Sequence, residues 1–189
     1  MKKPQVRVRK ERHYRPHTEF YHAVWVHLEH VRERQPGCFY SMLSALMMSA
    51  FTIEAYLNYV GPLVEPSWDD FEKAAPLAKL RHVAAMLRIE VDDGCRPMQT
   101  IVDLFRFRNR MAHPRPDHVV EDHLSTDDEY QNEFYTEPRP KWFKFATEAN
   151  GRRCYEDVGR IVETINSRLP HPEPLPLTDM GWSGRASST

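Results

Sequence analysis

A chain of 189 residues is long enough for one ordinary domain with extra tails, and two full domains would be cramped. Its 41% hydrophobic share supplies a single core, while 28% charged residues and a mean hydropathy of -0.65 describe a water-facing surface. No apolar run is expected to reach the roughly 18–20 residues of a membrane span, and Cys38, Cys95 and Cys154 lie too far apart for a disulfide framework or a cysteine zinc site.

The net charge of -1 hides an uneven distribution. Residues 1–16 hold Lys2, Lys3, Arg7, Arg9, Lys10, Arg12 and Arg15 against a single acid, Glu11. This basic arm has two readings, a contact for phosphates or a solvated, unfolded tail. It carries no apolar stretch of the kind a secretory signal needs, so a cytoplasmic protein is the expectation.

Helical periodicity then dominates. Phe20, Ala23, Val24, Leu28 and Val31 predict a helix over about 18–34, ended by Pro36-Gly37. Leu43, Leu46, Met47, Ala50, Phe51, Ile53 and Leu57 predict a longer one over 39–60, stopped by Gly61-Pro62. Ser67 is a candidate cap for a short helix over 68–74, and Pro76 suits the first turn of the next, whose apolar face runs from Leu77 to Val91. Asp92-Asp93-Gly94 is a turn. A fourth long helix is expected over 97–112, terminated by Pro114.

Residues 114–139 break the pattern, with eight acids opposed by Arg115 and Arg139, and read as an acidic loop. A last helix is expected over 152–169 from Tyr155, Val158, Val162, Ile165 and Leu169. Residues 170–189 are Pro- and Ser-rich and predict an unfolded tail. The expected fold is all-α: an antiparallel bundle of four to five helices over 17–169, interrupted by the acidic insertion, with loose ends.

Chemistry concentrates in Ile101-Val102-Asp103-Leu104-Phe105-Arg106-Phe107-Arg108-Asn109-Arg110-Met111-Ala112-His113-Pro114. At about 100° per residue, Ile101, Leu104, Phe105 and Ala112 share one face, and Arg108 lies within roughly 20° of Ile101. Arg106 and Arg110 fall with Asp103 on the opposite, wet side, as surface charges or secondary phosphate contacts. A guanidinium keeps its charge in a protein, so an inward Arg108 requires an anion. Glu54 supplies one, because it lies within the apolar stripe of the second long helix. His113 precedes a proline and is pushed out of helical geometry, free to swing toward the face that Arg108 occupies.

The run Arg108-Asn109-Arg110-Met111-Ala112-His113 resembles the Arg-polar-(three or four variable)-His signature of the HEPN (higher eukaryotes and prokaryotes nucleotide-binding) superfamily, with Asn109 as the polar residue. Ser49 to Asn58 is similar to that family's long second helix, whose interior carboxylate lies near the motif arginine. The likeness covers roughly residues 18–113 and the last helix; the acidic stretch after His113 departs from it. It implies a metal-independent endoribonuclease, with the motif helices of two protomers facing each other across a dimer cleft. In that reading Arg108 and His113 are catalytic, Asn109 orients His113 or the phosphate, Glu54 holds Arg108, and Arg106 and Arg110 bind RNA. The implied partners are RNA, a second copy of the chain and an antitoxin protein, as for a toxin or phage-defence effector. The alternative is a non-catalytic HEPN module that binds a nucleotide or a protein partner. No cofactor is expected. The ten histidines match no established metal spacing, and no P-loop, GxGxxG or GxSxG run occurs.

Overall fold

The computed structural model describes residues 6–127, 138–169, 177 and 182–188. Its fold is an all-α helical bundle. The long helices are α1 (Pro16–Arg32), α2 (Cys38–Val64), α3 (Pro76–Met86), α4 (Met98–Ala112) and α5 (Glu148–Asn166), with short 3-10 turns at Trp68–Phe71 and Lys141–Lys144.

The second helix is the spine. Its Ala45, Leu46, Ala50, Ile53, Tyr56, Leu57 and Val60 are fully buried, and α1, α3, α4 and α5 all pack on it. α1 runs antiparallel to it: Phe20 meets Phe51, and His17 meets Tyr56 and Tyr59 nearer the other end. α5 closes the opposite side, where the Tyr56 hydroxyl lies 2.7 Å from Asn166 Oδ1. Close approach needs a missing side chain at Gly151, where a Cβ would fall 2.9 Å from Leu28 and 2.7 Å from the Met42 sulfur.

Several boundaries differ from those expected. By length and composition α2 is apolar enough to cross a membrane, against the expectation of no such run. Its apolar character here is explained by four packing neighbours. It also passes the expected stop at Gly61-Pro62 and ends at Val64. A proline removes only one N–H bond, and at the final turn the Glu65 N–H still closes on the Gly61 carbonyl at 2.9 Å. Gly61 is needed for a different reason, since a Cβ there would lie 2.2 Å from the Trp68 indole. Ser67 does not cap: its hydroxyl donates to Glu65 Oε1 at 2.7 Å. α3 stops at Met86, short of Val91, because Arg88 turns left-handed (φ 54) and Ile89 N–H bonds back to the Ala84 carbonyl at 2.8 Å. α5 begins a turn earlier than expected, where the Thr147 hydroxyl accepts from the Asn150 N–H at 3.2 Å.

The ends depart furthest. β1 (Val6–Arg12) and β2 (Trp182–Ser188) pair antiparallel, from Val6 opposite Ser188 to Arg12 opposite Trp182. The C-terminal segment was expected to be unfolded, and the N-terminal one was read as either a phosphate contact or an unfolded tail. Val6-Arg7-Val8-Arg9 has the two-residue alternation of a strand, and Leu177 packs against the core. The acidic insertion is irregular from Pro114 to Thr126, and its residues 128–137 lie outside those described.

His17 is a buried weak point. Its ring is inaccessible, and neither nitrogen has a hydrogen-bond partner among the described residues. Burial, with the Arg15 charge adding to it, pushes its pKa down to about 4. The unfolded chain therefore takes up this proton first. The contribution of neutral His17 is complete above about pH 6.5 and lost as the pH falls toward 4. We expect the urea midpoint of the wild type to fall across that window more steeply than that of His17→Phe; parallel curves would show that His17 is not the group responsible.

Candidate functional site

The geometry of α4 starts from its wheel. Ile101, Leu104 and Phe105 are buried as expected, and Phe107 joins them. Ala112 does not: it is exposed. Arg108 is held half-buried. Its Nη2 donates to Glu54 Oε2 at 2.9 Å, joining α4 to α2, and its Nη1 donates to Asn109 Oδ1 at 3.1 Å. Its Nε is buried with no partner among the described residues. One guanidinium is thus fixed by a carboxylate and by an amide, which leaves its orientation little freedom.

His113 is the C-cap of α4, with φ -126 and ψ 60, outside helical geometry as the following proline requires. Its backbone N–H still bonds the Asn109 carbonyl at 3.0 Å, and its side chain is exposed. No hydrogen bond joins it to Arg108, and the Asn109 amide oxygen accepts from the arginine. Within one chain, then, Arg108, Glu54 and Asn109 come together, and the exposed His113 side chain makes no hydrogen bond to any of the three.

Arg106 and Arg110 are on the wet side of the helix, as their wheel positions predict. Arg106 pairs with Asp103 at 3.1 Å, and Arg110 with Asp117 at 3.2 Å. They border an open groove of about 720 Å³ between α4 and the Lys141–Lys144 turn, which Arg108 and His113 do not line. Among the described residues no group of three or more His, Cys, Asp or Glu side chains is arranged to hold a metal ion.

One ionic centre escaped the reading of the sequence. Asp157 on α5 is fully buried and receives Arg96 Nε at 2.8 Å and Nη2 at 2.9 Å, with Arg160 Nη1 at 3.3 Å. Burial pushes its carboxyl up, but the Arg96 bonds and the two arginine charges prevail and hold it below the usual range. The same wheel test that isolates Arg108 finds Asp157, three residues from buried Cys154 and four from Ile161. This pair fastens the start of α4 to α5, so it sets the angle from which Arg108 reaches α2.

Compared with known proteins, the chain matches no family model, no curated protein and no solved structure. The functional reading therefore rests on the chemistry of the site.

Removing one member of each pair should separate their weights. Glu54 and Arg108 are partly exposed (31% and 21%), so a double-mutant cycle with Glu54→Gln and Arg108→Gln should give a coupling of about 1–2 kcal/mol. Asp157→Asn puts a fully buried amide where Arg96 and Arg160 had a carboxylate, and should lower the urea midpoint more than either single change at Glu54–Arg108. A coupling at Glu54–Arg108 indistinguishable from zero in urea denaturation would contradict the assignment of Glu54 as the anchor.

Proposed function

We propose that the chain is a homodimeric, metal-independent endoribonuclease of the HEPN kind, with Arg108 and His113 as its reacting groups. The observation that carries this reading is the fixed guanidinium of Arg108, anchored by Glu54 and Asn109 five residues before a histidine at the end of α4.

Breaking an RNA strand without a metal requires three things. A base must take the proton of a ribose 2′-hydroxyl, a cation must stabilise the charged phosphorane, and an acid must protonate the departing 5′-oxygen. Histidine titrates near neutrality and can serve as base or acid. Arginine offers a planar, permanent cation to the non-bridging oxygens. One chain provides a single such histidine beside the arginine, so two copies facing each other supply the base, the acid and two clamps. The outer side of α2 supports that assembly. Met47, partly buried, lies two turns from Glu54 on the same face, and Tyr40 at the start of that face is 72% exposed. A second copy covering this stripe would bring both Arg108 side chains toward one cleft.

Such an enzyme suits a toxin or phage-defence effector, restrained by an antitoxin protein. A second reading draws on the missing link between His113 and Arg108: a HEPN module that binds a nucleotide or a protein partner without cutting.

Cleavage decides between them. Purified protein should cut mixed RNAs in EDTA and leave 2′,3′-cyclic phosphate ends, because the attacking group is the neighbouring ribose hydroxyl and not an activated water. His113→Ala should slow this by roughly 10²–10⁴-fold with the fold unchanged. Wild-type cleavage by His113→Ala would remove the histidine from the chemistry and leave the binding module as the better account.

A further inference from the structure

The groove along the wet side of α4 has a chemistry of its own. Its floor is aromatic: Phe107 lies 5.2 Å from Phe145 and 6.3 Å from Trp142, centroid to centroid. Four cations line it, Arg106, Arg110, Arg139 and Lys141, against two carboxylates, Asp103 and Asp117. Both carboxylates are engaged, each by one of the α4 arginines. Arg139 and Lys141 have no ion pair among the described residues; Arg139 instead lies over the Phe143 ring at 5.9 Å. The groove thus combines ring faces with two uncommitted positive charges, in a space of about 720 Å³ open on one side. Neutral apolar ligands would leave the charges unused, and inorganic anions would leave the rings unused.

The geometry points to this groove as a subsite for unpaired nucleotides of an RNA strand, with bases against Trp142 and Phe145 and phosphates against Lys141 and Arg139. Bases locked in a duplex present only their edges, so the rings can stack on them only in a single strand. This deepens the ribonuclease reading, on which it rests, by naming the substrate class as single-stranded RNA. Chain order is consistent with such a path, since His113 falls between Arg110 and Asp117, both of which line the groove. Asp117, the acid of the insertion that lines the groove, is paired with Arg110 at its edge.

Binding can be measured apart from cleavage with a fluorescent 2′-O-methyl oligoribonucleotide of eight residues, which lacks the attacking hydroxyl. Anisotropy titrations of the full chain should show the single strand binding at least about 10-fold more tightly than its duplex. Lys141→Glu and Trp142→Ala should each weaken it about 10-fold. Lys73→Glu, an equal charge reversal at an exposed position outside the groove, should change it little. Equal affinity for duplex and single strand would overturn the proposal, as would a Lys141→Glu effect no larger than that of Lys73→Glu. So would a change of oligomeric state in Lys141→Glu or Trp142→Ala, which would make the groove a protein interface. If the modified strand binds as described while unmodified RNA is never cut, the groove stands and the ribonuclease reading fails. Cleavage that persists unchanged in both groove variants would sink the groove alone.

Discussion

Arg108 cannot shed its charge, and the helix that bears it turns it toward the interior. Everything around the candidate site answers that constraint. Glu54 must be on the facing side of α2, which fixes the rotation of both helices about their axes. Asn109 then satisfies a second nitrogen of the same fork, and α4 ends at Ala112, where His113 leaves helical geometry. A pair of this kind contributes little net stability compared with apolar residues of the same size. Its value is directional: it holds a cation at a defined angle near the surface.

The bundle supports this geometry from two sides. α2 is long and apolar because four helices share it as a packing surface, and its buried side chains set the position of Glu54 along the axis. The buried Asp157 and its arginine Arg96 set the start of α4 against α5. A shift in that joint would swing the far end of α4, where Arg108 and His113 are. Two ion pairs thus bracket the helix, one on the fully buried carboxylate of Asp157, the other half-buried and facing solvent.

Much of this was legible in the sequence, for a physical reason. Helices of a bundle display three- to four-residue periodicity, so a charge on the wrong face stands out, and Arg108 and Glu54 identify each other as partners before any coordinates exist. Asp157 was open to the same argument, but its partner Arg96 precedes α4 on no periodic face and gives no matching signal. The end ribbon joins residues some 180 positions apart, and nothing local announces such a pairing beyond the alternation of Val6 and Val8. The groove is hidden for a related reason. Its rings and cations come from α4 and from residues 139–145, and only folding brings them together. Pro62 misleads in the other direction: a proline signals a stop, yet the last helical turn tolerates one.

The most direct test of the account replaces the shape of the cation while keeping its charge. In Arg108→Lys an ammonium stands where the planar fork was, able to meet Glu54 but unable to hold Asn109 and a phosphate together. Cleavage of one defined single-stranded RNA, followed in EDTA with wild type and Arg108→Lys at matched folded concentration, is the measurement. The account predicts a loss of at least about 100-fold in rate. Equal rates for the two proteins would mean that the fixed guanidinium is a strut of the fold and not the clamp of the reaction.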